Sequence, residues 1–131
     1  MDFGLLGSGL VMGIAAIGSA IGAWKKCYMV NKVAPFILTV FAGAPLTQTI
    51  YGFLLMQQMK GASADPAFLL GIGVSAGLAM CLSAVAQGKA GAAGADALAE
   101  TGKGFSQYIT VVGLCETVAL FALVFSMVAL G

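Results

Sequence analysis

The sequence has no arginine and no histidine, and only 8% of its 131 residues are charged. Without histidine there is no imidazole to ligate a transition metal or to act as a general base. Without arginine, any guanidinium needed to pair with an acid of this chain must come from another one. The net charge of +1 gives no support to nucleic-acid binding. Cys27, Cys81 and Cys115 lie far apart with no paired spacing, which argues against a disulfide framework or a zinc site and leaves them as small packing residues. The chain opens Met-Asp without a basic segment, so its first apolar run reads as a span rather than a cleaved leader.

What the chain has in abundance is apolar sequence: 60% of residues are hydrophobic. A membrane-spanning helix takes about 20 mostly apolar residues. Four segments meet that length: Phe3–Trp24, 35–56, 67–86 and Phe105–Leu130. They are too long for barrel strands, and only helices and closed barrels satisfy their backbone in lipid. The expected fold is an all-α membrane protein with four transmembrane helices, arranged as two tandem antiparallel hairpins over 1–60 and 61–131. The connections are 25–34, 57–66 and a small-residue stretch, 87–104. The part 88–99 is rich in Ala and Gly and lacks Pro, so it is able to carry helix three beyond the membrane.

Lysines indicate the topology. Lys25, Lys26 and Lys32 follow span one, Lys89 and Lys103 lie between spans three and four, and Lys60 alone lies on the other side. By the positive-inside rule, 25–34 and 87–104 are cytoplasmic, and both termini face outward. Lys89, two positions after Gln87, is expected to snorkel to the interface. Asp2, Lys60 and Asp65 read as outer-surface charges, and Asp96, Glu100 and Lys103 as solvated or subunit-contacting ones.

The chain contains a parallel internal repeat. A shift of 64 positions aligns Gly9 with Gly73, Gly13 with Gly77, Ser19 with Ser83 and Lys25 with Lys89. A shift of 68 aligns Leu46 with Leu114, Phe53 with Phe121 and Gln48 with Glu116. Gly9-xxx-Gly13, Gly18-xxx-Gly22 and Gly73-xxx-Gly77 have small-residue spacing that lets helices pack closely. Helices two and four carry the bulk instead, including Phe53, Phe121 and Phe125. Slim inner helices and bulky outer ones suit a ring of many hairpins.

Glu116 is the one charge in span four, near its middle. A carboxylate at the bilayer centre costs about 2.5–3.5 kcal/mol on insertion scales, so its default reading is a cation or proton site. Helix two offers Thr47, Gln48 and Tyr51 on one face, with Ala44 before them. Pro45 is expected to kink this helix and free a carbonyl. If helices three and four turn near 100–102, Gln87 lies level with Glu116. Carboxylate, amide and hydroxyl oxygens suit a hard cation, and one negative charge neutralises one monovalent ion. The surplus of oxygens leans towards Na⁺. H⁺, which needs only the carboxylate and one or two hydrogen-bond partners, is the alternative.

With these residues in hand, the chain resembles the four-helix rotor (proteolipid, c or K) subunits of V-type and related rotary ATPases over essentially its full length. The resemblance rests on the Gly-rich first and third helices, the Pro45-Leu46-Thr47-Gln48-Thr49-Ile50-Tyr51-Gly52 segment, the Ala86-Gln87-Gly88-Lys89 segment and Glu116. It is strongest to the bacterial sodium-pumping branch, although Leu46 stands where that branch often has a small residue. The resemblance implies Na⁺ ligation by Thr47, Gln48, Gln87, Glu116 and the backbone carbonyl of Ala44, with Tyr51 hydrogen-bonding the glutamate. Pro45 itself frees the carbonyl of Phe41, so the backbone ligand is open between the two. The resemblance further implies a homo-oligomeric ring in a bacterial plasma membrane, a stator subunit supplying an arginine, and central-stalk subunits on the cytoplasmic loops. It implies a non-catalytic subunit of an ATP-driven pump.

A small four-helix transporter coupling drug efflux to protons is the nearest rival. Those carry their key acid in helix one, where this chain has none. A purely structural four-span scaffold has no use for Glu116.

Overall fold

The computed structural model describes the backbone of residues 2–29 and 39–131, and their side chains except those of 25–29. It contains α1 (Phe3–Met29), α2 (Thr39–Gly43), a 3₁₀ turn (Ala44–Leu46), α3 (Thr47–Gly61), α4 (Pro66–Thr101) and α5 (Phe105–Leu130). The stretch α2 to α3 is one broken rod, so among the described residues four helices, Phe3–Trp24, Thr39–Gly61, Pro66–Thr101 and Phe105–Leu130, are long and apolar enough to cross a membrane. The expected span four matches α5 residue for residue.

Local chemistry sets the helix ends. Asp2 accepts the Gly4 and Leu5 amides through Oδ1, at 2.9 and 3.2 Å. Asp65 does the same for Ala67 and Phe68 at the start of α4, with Pro66 at the first position, where no amide is needed. These two acids, read from sequence as surface charges, are helix caps. The α4 helix stops at Gly102, whose φ of 64° is left-handed and whose amide returns to the Leu98 carbonyl at 2.8 Å.

The connection expected over 87–104 is mostly helix, as the Ala- and Gly-rich 88–99 allowed, so the loop there is corrected to 102–104. The α4 helix runs unbroken through Gln87 to Thr101, and only 102–104 connects it to α5. Nothing in 88–99 breaks a helix, and the first residue demanding another backbone conformation is Gly102. At 1.5 Å per residue this 36-residue helix is about 54 Å long, well beyond a ~30 Å hydrocarbon core. The connection expected over 57–66 also shortens, to 62–65. Lys89 lies on the exposed face of α4. Lys32, the rest of 30–34 and the expected start of span two at Pro35 lie outside the described residues, as do the side chains of Lys25 and Lys26.

Packing follows the repeat. The α1 and α4 helices run parallel, with Gly7 against Leu69 and Leu70, Gly18 against Cys81, and Gly22 against Ala84 and Gly88. A Cβ placed on Gly88 would fall 2.5 Å from the Gly22 Cα, so the two backbones touch and tolerate no side chain there. By contrast, Gly9 and Gly13 face open space. Among the described residues, the Gly9-xxx-Gly13 face therefore packs against nothing, although its spacing is that of a close-packing face.

Within the hairpins the helices are antiparallel. Gly52 of α3 meets Ala15 and Met12, and Ser83 and Gln87 of α4 meet Cys115 and Val112 of α5. The slim-and-bulky contrast holds along the α1–α4 seam. It is not strict outside it, because Ile17, Trp24 and Leu82 are exposed along with Phe121, Phe125 and Val128 of α5. Apolar exposure on this scale requires lipid or further apolar protein as its neighbour.

Two apolar clusters bracket a polar layer. Val11, Ala15, Leu55, Met59, Leu69, Ile72, Met80, Ala119 and Leu123 form one, towards the end that carries both termini and the 62–65 turn. Phe41, Ala95 and Val112 form the other, with Phe105 and Tyr108 beside them. Gln48, Gln87 and Glu116 fall between these clusters on α3, α4 and α5 respectively.

Candidate ion-binding site

Glu116 sits on α5, eleven residues from Phe105 and fourteen from Leu130. Its two carboxylate oxygens are held from two directions. Tyr51 of α3 donates its hydroxyl to Oε1 at 2.5 Å, and Gln87 of α4 donates Nε2 to Oε2 at 3.2 Å. Hydrogen bonds to an ionised acceptor contribute about 1.5–3 kcal/mol each. Two of them offset much of the roughly 2.5–3.5 kcal/mol insertion cost of the carboxylate. Glu116 itself is half-buried, with exposed Leu114 and Val118 on either side of it in sequence. The acid therefore lies at the lateral edge of the four-helix unit and not in its centre.

Behind the acid the network continues inward. Gln48 donates Nε2 to Oε1 of Gln87 at 2.9 Å, and both amides are fully buried. Gln87 Nε2 also reaches the Val112 carbonyl at 3.2 Å. The Thr47 hydroxyl contacts the Ala44 carbonyl at 2.9 Å and Gln48 Oε1 at 3.3 Å. An amide buried without partners in lipid costs several kcal/mol, so this pairing is what permits two glutamines at this depth. The order Thr47, Gln48, Gln87, Glu116 crosses three helices and joins the two halves of the repeat.

The Pro45 region explains why Ala44 takes part. Proline has no amide to give, and the chain responds with a 3₁₀ turn, Ala44–Leu46, in place of a sharp kink. The Thr47 amide then bonds the Ala44 carbonyl three residues back. The tighter turn brings that carbonyl to the Thr47 side chain. Phe41, whose carbonyl was the other candidate, is fully buried, with its ring edge-on to Phe105 at 5.6 Å between centroids.

The structure thus brings together all six groups that the sequence proposed: Ala44, Thr47, Gln48, Tyr51, Gln87 and Glu116. It adds two that sequence reading missed. The Val112 carbonyl belongs to the Gln87 contacts, and Ser83 donates Oγ to the Cys115 carbonyl at 2.7 Å. Backbone carbonyls leave no mark in a sequence, and a serine among small residues reads as one more small residue. The position of Ser83, one helical turn before Gln87, was the available signal.

Chemically, the site offers one carboxylate plus amide, hydroxyl and carbonyl oxygens, a set that suits a hard monovalent cation. Among the described residues no three His, Cys, Asp or Glu gather to form a transition-metal site.

Comparison with known proteins adds an independent view. Residues 70–129, which include Gln87 and Glu116, match the family model for the ATP synthase C subunit. Over nearly its whole length the chain is similar to the A-type ATP synthase K subunit of Methanocaldococcus jannaschii, at 36% identity over 137 aligned positions. That alignment takes in 97% of this chain and 61% of the relative, so the chain spans about three fifths of that protein's length.

Proposed function

We propose, from the premise that this chain belongs to the c and K proteolipid family of rotary ATPases, that it is a rotor-ring subunit carrying Na⁺ through the membrane on Glu116. The observation that carries this reading is the network behind one intramembrane carboxylate: Tyr51 and Gln87 donate to Glu116, Gln48 donates to Gln87, and Thr47 to Gln48. A proton needs only the acid and one or two partners. Here the acid is backed by two amides, a hydroxyl and the Ala44 carbonyl.

In this reading Glu116 supplies the charge that Na⁺ neutralises. The oxygens of Gln48, Gln87 and Thr47, with the Ala44 carbonyl, replace water around the ion, and Tyr51 holds the carboxylate in orientation. The lateral position of Glu116 then has a purpose. A neutral, loaded site passes along the lipid face at low cost, while an empty carboxylate does not. It needs a counter-charge, and because this chain has no arginine, a stator subunit supplies it.

Copies of the chain form the ring. Its cytoplasmic ends engage the central stalk, ATP hydrolysis in a separate soluble sector drives rotation, and the chain itself catalyses nothing. The membrane is the bacterial plasma membrane, with both termini outside. One acid per four helices moves few ions per turn, so each ATP drives ions against a steeper gradient, which suits a pump.

The reading is tested by Na⁺ binding to the purified detergent-extracted ring. Glu116→Gln is expected to abolish saturable Na⁺ binding while leaving the ring-sized particle intact. A wild-type ring that binds no Na⁺, from a whole complex that still pumps H⁺ in sealed vesicles, would replace the sodium reading by the proton one.

A further inference from the structure

We infer that Ser83 is a positioning residue for Glu116, acting through the backbone of α5 and not through the carboxylate itself. The inference rests on reading Glu116 as the ion-carrying group.

Ser83 is almost fully buried on α4, and its Oγ donates to the Cys115 carbonyl at 2.7 Å. That carbonyl and the Glu116 amide belong to one peptide unit, which is planar and rigid. Fixing the carbonyl therefore fixes the plane from which Glu116 departs. One turn along α4, Gln87 grips the Val112 carbonyl at 3.2 Å. In an α-helix the carbonyl four residues back is the partner of the Glu116 amide. Together Ser83 and Gln87 hold the turn 112–116 at two points, and both are presented by the same face of α4. The rotation of α5 about its axis, and with it the direction of the Glu116 side chain, is set by this pair. Tyr51 and Gln87 then meet the carboxylate where that backbone puts it.

The repeat supplies the contrast that isolates this role. Ser19 is the counterpart of Ser83, and Thr47 of Cys115. Both serines are buried, at 1% and 4% exposure. Ser83 has its carbonyl partner, whereas Ser19 Oγ has none among the described residues. The first hairpin carries no acid within its spans. In place of a regular helix before Thr47 it has the 3₁₀ turn at Pro45. The serine-to-carbonyl clip is thus found in the hairpin that carries Glu116 and is missing from the one that carries its neutral twin, Gln48.

The test compares Ser83→Ala with Ser19→Ala, which remove the same atom from equally buried, repeat-related sites. Two quantities are read on the assembled ring: the rate at which a carbodiimide modifies Glu116 at one fixed pH, and the Na⁺ concentration giving half protection. Removing a partner that orients a metal ligand typically costs about 10–100-fold in affinity. Ser83→Ala is expected to raise the half-protecting Na⁺ concentration at least ~10-fold and to alter the unprotected rate. Ser19→Ala is expected to match wild type in both. Equal behaviour of the two variants would overturn the inference, because a generic cavity would then explain any change.

If wild type shows no Na⁺ protection, the sodium reading fails. The Ser83 inference is then judged on the modification rate alone: a rate that differs from that of Ser19→Ala supports it, and an equal rate overturns it. If Ser83→Ala does not assemble, Ser83→Cys, which keeps the size and weakens the donor, is read by the same criteria.

Discussion

The Tyr51 hydroxyl donates to Oε1 of Glu116 at 2.5 Å, across 65 residues of sequence, and so ties the first hairpin to the one that carries the intramembrane acid. This contact makes the two halves of the repeat one functional unit. Gln87 holds the second carboxylate oxygen, so loss of either donor leaves the acid held from one side only.

Tyr51→Phe removes that hydroxyl and keeps the ring. The α3 helix keeps its packing, because the phenyl ring still lies against the core cluster that Tyr51 touches. The expected result is a weakening of ion binding by about 10-fold with ring assembly unchanged. Measurement is by Na⁺ titration of the purified ring.

Gln87→Ala is expected to do more. It removes the bond to Glu116, the bond to Val112 and the acceptor of Gln48 Nε2. A buried donor left unsatisfied costs about 1–3 kcal/mol. Ion binding should fall below that of Tyr51→Phe, and the thermal unfolding midpoint should drop. Unchanged Na⁺ affinity would remove Gln87 from the site.

The glycine seam gives a purely structural prediction. At Gly18 an added Cβ would meet the Cys81 carbonyl oxygen at 2.6 Å, whereas at Gly13 it would meet nothing. Gly18→Leu is expected to prevent stable folding, since even modest overpacking costs about 1–3 kcal/mol. Gly13→Ala should leave the fold of the single chain intact. Thermal melts and yield of the detergent-extracted protein distinguish them. If Gly13→Ala disrupts ring formation but not the single chain, that face meets a neighbouring copy.

Asp65→Ala separates stability from ion binding. The side chain caps α4 through the Ala67 and Phe68 amides and lies far along α4 from Gln87. A cap of this kind contributes about 1 kcal/mol. The variant should melt slightly earlier and bind Na⁺ as wild type does.

Much of this was legible in the sequence because lipid imposes simple rules. Apolar length located four helices, and one charge in Phe105–Leu130 located the site. The repeat brought Gln48 to the level of Glu116, and the distance from the turn brought Gln87 there too. The boundaries were less legible. Hydropathy ended helix three near residue 86, but α4 continues to Thr101, because alanine and glycine sustain a helix whether or not lipid surrounds it. Close packing was only half legible. The small-xxx-small spacing is the same for Gly9 and Gly13 as for Gly18 and Gly22, but only the second pair faces α4. Spacing gives a face, and the partner for that face comes from the rest of the fold. Ser83 read only as a small residue of the repeat, because its partner is a backbone carbonyl.

The most direct test of the central claim is carbodiimide labelling of Glu116 in the assembled ring, with and without Na⁺, at a pH where the reagent reaches the site. The predicted result is rapid modification in the absence of Na⁺ and graded, saturable protection as Na⁺ rises, with K⁺ at the same ionic strength ineffective. Modification of Glu116 at the same rate whatever the Na⁺ concentration would contradict the claim that this carboxylate is a sodium ligand.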